Sequence, residues 1–307
     1  MVASVIIPTI NRSDSLLRAV ESVAVAANAQ QGLKVEVLVI NDSNESLALN
    51  PKLSNNLSLR VLDSPKRPFG GPSAARDYGI RQASHDIILF LDDDDEFLPN
   101  RFARCVSAFS ELECKMVVEQ ALRVNQVTGE SSVSGLGLEE SAESIFVALF
   151  ASDESKHVAT GATAFLRDTY IELGGIDHSL RLGEDGEMLT RFAYFDLVVA
   201  LGGDPVVKIN RHDSNISRAT EHEPFYNMKA IYHLYKNTRY STNPKKDDFL
   251  LDYIRARFDF QMFRCRTEYS GWQKLTAIAR VVRYMPIRFV NVQALRSLVV
   301  AIIRAED

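Results

Sequence analysis

The chain has 307 residues, a mass of 34.4 kDa and a formal net charge of −5. Its 46% hydrophobic and 24% charged residues are those of a folded globular protein and exclude a disordered, collagen-like or charge-rich tail protein. The slight acidity speaks against a nucleic-acid partner, and the length predicts about two domains.

The first hundred residues alternate strand and helix signals. Val2–Ile10 is an uncharged, β-branched run, as expected of a strand buried on both faces. Ser13 or Asp14 is placed to cap a helix carrying Leu16, Leu17, Val20 and Val23. Val35–Ile40 reads as a second strand ending at Asn41-Asp42, and Leu57–Leu62 as a shorter third. After Gly70-Gly71-Pro72 a helix is expected from Ser73 through Ala83. Asp86–Leu91 reads as a fourth strand and runs into Asp92-Asp93-Asp94-Asp95-Glu96. This order predicts βαβ units with parallel strands, whose carboxyl ends form the ligand crevice. Asn11, Asp42 and the acidic run all fall at such ends.

Further along, Lys115–Val124 reads as a strand, 126–137 as a hairpin or loop, 141–151 as a helix and Thr160–Leu166 as a strand. A helix is expected over Glu184–Phe195 and a late strand over Pro205–Asn210. From Pro224 the character turns helical, over 225–240, 246–268, 272–285 and 287–304, so a boundary is placed near residue 220. Cys105, Cys114 and Cys265 form no C-x-x-C pair, which fits a reducing compartment rather than a disulfide framework. No signal peptide and no run of about 18 uncharged apolar residues is visible, so no membrane span is expected.

Four features carry chemistry. Five consecutive acids repel one another unless a cation neutralises them, and oxygen ligands suit Mg²⁺ or Mn²⁺ with a diphosphate completing the shell. The alternative is a solvated acidic loop. Arg76, in the first turn of its helix, is placed either to face a phosphate or to pair with Asp77 or solvent. Glu184 and Asp185 are either helix-start acids or the site of a general base for an acceptor hydroxyl. His212 follows the last strand, either as a structural or surface histidine or folded back to the acids.

Taken in order, these segments resemble the family 2 glycosyltransferases over residues 2 to 215. Ser4-Val5-Ile6-Ile7-Pro8-Thr9-Ile10-Asn11-Arg12 resembles the opening strand and Glu36–Ser43 the second strand with its nucleotide-binding aspartate. Ala75-Arg76-Asp77-Tyr78-Gly79 resembles the Ala-Arg-Asn-x-Gly helix, with Asp77 where Asn is commoner. Phe90–Asp95 resembles the D-x-D metal motif, in a run of four aspartates that leaves its register open by one residue. Gly174-Gly175-Ile176-Asp177 and Gly183-Glu184-Asp185 resemble acceptor-side elements.

The resemblance implies an α/β GT-A (Rossmann-like) fold with a mixed, mainly parallel sheet flanked by helices. It implies a nucleotide-binding half over about 1–110, an acceptor half over about 111–220, and a helical C-terminal extension over 221–307. It further implies an inverting, metal-dependent enzyme in bacterial surface-polysaccharide synthesis. A sugar would pass from a nucleotide-sugar, most commonly a UDP-sugar, to a glycan or lipid-linked glycan. Pro8, Thr9, Asn11 and Asp42 would hold the nucleoside, Arg76 would lie near the base or diphosphate, and Asp93 near the ribose. Asp92 and Asp94 form the D-x-D pair, with Asp94 on Mn²⁺ or Mg²⁺ and His212 as a further ligand. Asp185 would be the base, with Glu184 beside it.

Two rivals are weighed. A nucleotidylyltransferase needs a Gly-rich phosphate loop where this chain has Thr9-Ile10-Asn11-Arg12. A non-catalytic sugar-nucleotide-binding or assembly subunit would lack the base. Residues 271–307 carry six basic side chains against two terminal acids, and they predict either a peripheral contact with the inner face of the cytoplasmic membrane or packing within the protein or a homodimer.

Overall fold

A strand without a polar alternation must be covered on both faces, and β1 (Val2–Thr9) shows this directly, being buried from Ala3 to Thr9. In the computed structural model the described residues are 2–10, 12–65, 71–137, 142–150, 154–178, 180, 183–211, 233–234, 243–268 and 270–283. The elements following β1 are α1 (Ser13–Asn28), β2 (Lys34–Asn41), β3 (Leu57–Asp63), α2 (Pro72–Gln82), β4 (Ile87–Phe90), β5 (Glu96–Phe97) and α3 (Arg101–Glu111). Next come β6 (Met116–Val118), β7 (Ala121–Asn125), β8 (Ser131–Ser134), α4 (Ala142–Ala148), β9 (Thr163–Leu166) and α5 (Arg167–Glu172). The last are α6 (Glu184–Tyr194), β10 (Val198–Ala200), β11 (Val207–Arg211), α7 (Pro244–Glu268) and α8 (Gly271–Arg283).

The main sheet has the order β10-β6-β9-β4-β1-β2-β3 and is parallel except for β9. The chain therefore steps outward from β1 in both directions, to β2 and β3 on one side and to β4 on the other. That reversal opens a crevice at the carboxyl ends of β1 and β4. Pro8 lies past Ile6, the last β1 residue paired with β4, and keeps only its β2 neighbour Ile40. A second sheet, β5-β11-β7-β8, continues from the acidic run.

Helix α2 shows how small residues set the site. Gly71, at φ +112°, precedes Pro72 at the helix start. At Gly79 an added Cβ would stand 2.5 Å from Ile6 Cγ2 and 3.1 Å from Ile40 Cγ1. The helix thus lies directly on β1 and β2, one turn beyond Arg76. Gly79→Ala is expected to cost about 1–3 kcal/mol by overpacking, read as a lower denaturant midpoint at unchanged slope.

At the other end of the sheet Glu36, 4% exposed, accepts from Ser4 Oγ at 2.9 Å, Arg60 Nη1 at 2.8 Å and the Ser84 backbone N–H at 2.8 Å. Burial opposes its charge, but these donors prevail and hold its carboxyl below the usual range. The group joins β1, β2, β3 and the turn before β4.

Two sequence expectations need correction. Ser13 and Asp14 lie inside the first turn of α1, and the N-cap position is Arg12, with no side-chain cap. Asp14 instead places a negative charge at the positive end of the helix. The strand expected over 115–124 is two strands in different sheets, β6 and β7, because the chain crosses between sheets at Glu119-Gln120. The crossing falls at this polar pair, between the apolar residues Met116–Val118 and Ala121-Leu122. Helix α3 and the short strands β5 and β10 are additional to the sequence reading.

The chain divides into two compact units, Met1–Ser179 with Phe192–Asp213, and Leu180–Arg191 with Ser214–Asp307. Both sheets belong to the first. In the second, α7 and α8 fall within the helical region expected after residue 220, and Trp272 at the start of α8 is 85% exposed. Most of 225–240 and all of 287–304 lie outside the described residues. Among the described residues no helix is long and apolar enough to cross a membrane.

Candidate active site

The site is built where β4 ends and the acidic run begins. Burial alternates along it: Asp93 and Asp95 are 6% and 5% exposed, whereas the side chains of Asp92 and Asp94 are 40% and 18% exposed. The buried pair is held by the protein. Asp93 accepts from Thr9 Oγ1 at 2.7 Å and from Arg12 Nη1 at 3.1 Å. Asp95 accepts the Asn210 backbone N–H at 2.9 Å. The Asn210 amide donates to the Asp94 carbonyl at 2.7 Å and accepts from Gln126 Nε2 at 2.7 Å. Strand β11 of the second sheet thereby fixes the run in place.

The outward pair meets two arginines. Arg76, 5% exposed and with its guanidinium carbon 5.5 Å from the Phe90 ring centre, donates to Asp92 Oδ1 at 2.6 Å. Arg12 Nη1 donates to Asp94 Oδ2 at 2.7 Å. Lys208 pairs with Glu96 at 3.0 Å and holds that carboxyl down against its burial. Burial pushes the Asp93 and Asp95 carboxyls up, and the neighbouring charges of Asp92 and Asp94 push the same way.

Among the described residues Arg12, Arg76 and Lys208 hydrogen-bond to Asp92, Asp93, Asp94 and Glu96, while Asp95 accepts a backbone N–H. That donor set fits a divalent cation. No group of three His, Cys, Asp or Glu side chains converges on one point among the described residues. A hard cation of this kind needs only one or two carboxylates when substrate phosphates complete its shell.

Asp42 lies half-buried at the end of β2 and accepts the Gly71 backbone N–H at 2.9 Å, which ties this strand end to the start of α2. Pro8, Thr9, Asp42, Arg76, Asp92, Asp93 and Asp94 thus gather at the β1/β2/β4 end of the main sheet. Both Asp93 oxygens accept hydrogen bonds within the protein. A cleft of about 570 Å³ adjoins Asp94 and is lined also by Arg12, Ser15, Arg18, Glu96, Gln126, Lys208 and Asn210. Asn11 and His212 lie outside the described residues.

In the other unit, α6 begins with Glu184 and Asp185, followed by Glu187, all favoured near the positive helix end. Glu184 is 5% exposed, while Asp185 is half-buried and accepts the Gly186 N–H at 2.8 Å. The contacts made by Arg12 and Asn210 were not anticipated in the sequence. They span 81 and 115 residues and have no local signature.

The comparisons agree with this architecture. Residues 4–174 match the family model described as glycosyl transferase family 2. The chain is 33% identical over 104 residues to the uncharacterized glycosyltransferase YwdF of Bacillus subtilis (strain 168), covering 34% of this chain and 37% of that protein. It is 29% identical over 146 residues to the GalNAc(5)-diNAcBac-PP-undecaprenol beta-1,3-glucosyltransferase of Campylobacter jejuni, covering 46% and 44%. The match thus spans less than half the length of either of these relatives. The crystal structure of S. aureus TarS 1-349 in complex with UDP-GlcNAc superposes with a TM-score of 0.67 at 16% identity, covering 94% of this chain and 82% of that one. The fold is the mixed α/β arrangement of such GT-A structures.

Proposed function

The chain belongs to glycosyl transferase family 2, and on that footing we propose that it is an inverting, metal-dependent glycosyltransferase. It moves a sugar from a UDP-sugar to a hydroxyl of a glycan or lipid-linked glycan, in bacterial surface-polysaccharide synthesis at the cytoplasmic side of the membrane. The observation that carries this reading is the alternation along the acidic run, which turns Asp92 and Asp94 outward at the crevice between β1 and β4. That alternation favours the Asp92/Asp94 register of the D-x-D pair over Asp93/Asp95. UDP is named because TarS, which shares the fold, was solved with UDP-GlcNAc. The lipid-linked acceptor is named because the Campylobacter relative acts on an undecaprenol-diphosphate glycan, as its name states.

In this reading Pro8, Thr9 and Asp42 border the nucleoside, and Arg76, buried over the Phe90 ring, keeps a positive charge beside Asp92. Asp94 and Asp92 would hold Mn²⁺ or Mg²⁺, with His212 as a further ligand. Bound there, the ion supplies charge that stabilises the departing diphosphate. Asp185 takes the proton from the acceptor hydroxyl. The acceptor oxygen bonds to the anomeric carbon as the bond to the diphosphate oxygen breaks, and one such displacement inverts that carbon. Asp185 suits the base better than Glu184, because a base must reach the proton and Glu184 is buried. Asp185→Asn is expected to reduce transfer by at least about a hundredfold, the scale of general-base catalysis, with UDP affinity unchanged. Unchanged turnover of a UDP-sugar would remove Asp185 from that role.

A further inference from the structure

Arg12 stands out because it pairs with the carboxylate that the proposed chemistry needs. Its Nη1 lies 2.7 Å from Asp94 Oδ2 and 3.1 Å from Asp93 Oδ1, so one guanidinium bridges an outward and a buried carboxylate. The Arg12 side chain is 31% exposed and lines the cleft beside Asp94, so it has room to leave this position. Arg12 also occupies the N-cap position of α1 without making a side-chain cap, so the helix does not anchor it there. Arg76 differs: it is almost wholly buried and fixed over Phe90.

We infer that Arg12 is the resident counter-ion of Asp94, competing with a divalent cation for it and releasing it when a nucleoside diphosphate offers the guanidinium a new anionic partner. This inference rests on the metal and nucleotide reading proposed above. Arg12 and a divalent ion cannot both occupy the same carboxylate edge without strong repulsion. The phosphates of the donor relieve that repulsion, since they accept from a guanidinium and ligate the metal at once. The metal then binds weakly alone and tightly with nucleotide, and by linkage the nucleotide gains the same factor from the metal. Arg12 thereby ties occupancy of the metal site to the presence of donor.

The test is Mn²⁺ titration, followed by electron paramagnetic resonance, of the full chain and of Arg12→Gln and Arg12→Lys, each with and without UDP. In Arg12→Gln, Mn²⁺ alone is expected to bind about tenfold more tightly, the effect of removing a unit charge about 6 Å from a divalent ion in water-like surroundings. The enhancement of Mn²⁺ binding by UDP should shrink in this variant, and Arg12→Lys, which keeps the charge, should stay near wild type. Tightening is diagnostic, because a variant with a damaged fold would bind more weakly. Arg18→Gln separates local competition from the general field: it lines the same cleft but donates to the Asp14 carbonyl, and its effect should be several-fold smaller. If Arg12→Gln leaves the affinity for Mn²⁺ alone unchanged while the wild type binds Mn²⁺ and UDP together, the inference is overturned and the proposed function stands. Metal-independent UDP binding that is lost in Arg12→Gln would also overturn it, since Arg12 would then replace the metal. No UDP binding by the wild type with Mn²⁺ present would remove both.

Discussion

Asp94→Asn is expected to lower the affinity for UDP in the presence of Mn²⁺ on the order of a hundredfold, since a metal–carboxylate contact is worth several kcal/mol. The substitution keeps the shape of the side chain and removes its charge. It leaves the backbone untouched, including the Asp94 carbonyl that accepts from Asn210. Asp93→Asn is the informative contrast. Asp93 is buried, and an amide oxygen can still accept from Thr9, so this variant should lose stability through its weakened tie to Arg12 and keep most of its metal-dependent binding. The opposite pattern, with Asp93→Asn losing the metal and Asp94→Asn keeping it, would shift the D-x-D register by one residue.

Arg101→Met should destabilise the first unit by about 3–5 kcal/mol, the cost of stranding a buried charge. Arg101, fully buried at the start of α3, pairs with Glu119, which is 1% exposed, and donates to the Thr163 carbonyl at 2.6 Å. Its guanidinium also lies 5.2 Å from the Phe97 ring centre. One side chain thus joins α3, the crossing between the two sheets, β9 and β5. The second sheet carries Asn210, so this pair supports the acidic run from below. Burial already raises the Glu119 carboxyl, and Arg101 is the strongest opposing influence. A raised native pKa favours the fold at low pH and loses that advantage as pH rises through it. The loss in Arg101→Met should therefore be larger at pH 8 than at pH 5. Arg101→Met combined with Glu119→Leu should recover most of it, because an apolar pair replaces an ionic pair at little cost. Equal losses in single and double variants, measured by urea unfolding, would show that the pair is not the source.

The parts of this protein legible in its sequence are those written locally. The buried strand β1 announces itself as an uncharged β-branched run and β2 by its apolar stretch Val37–Ile40, and Gly71-Pro72 marks the start of α2. The acidic run is conspicuous because charge seldom follows directly on a buried strand. Its internal alternation was not legible, since four identical residues carry no register. It appears only once Thr9, Arg12 and Asn210 have claimed Asp93 and Asp95. Helix α3 left a signal that could have been read, with Phe102, Cys105, Val106 and Phe109 at helical spacing. The Arg101–Glu119 pair left none, because a buried arginine is written like an exposed one. The split of 115–124 between two sheets was hidden for a similar reason: Glu119 looks like an ordinary strand residue, yet its N–H donates to the Ala162 carbonyl at 2.9 Å as the chain leaves the main sheet.

Calorimetric titration of UDP into the full chain, with and without Mn²⁺, tests the central claim most directly. The account predicts binding that depends on the metal and is lost in Asp94→Asn. Absence of binding by UDP, and then by GDP and dTDP, under both conditions would contradict the assignment of a metal-dependent nucleotide-sugar site to the crevice between β1 and β4.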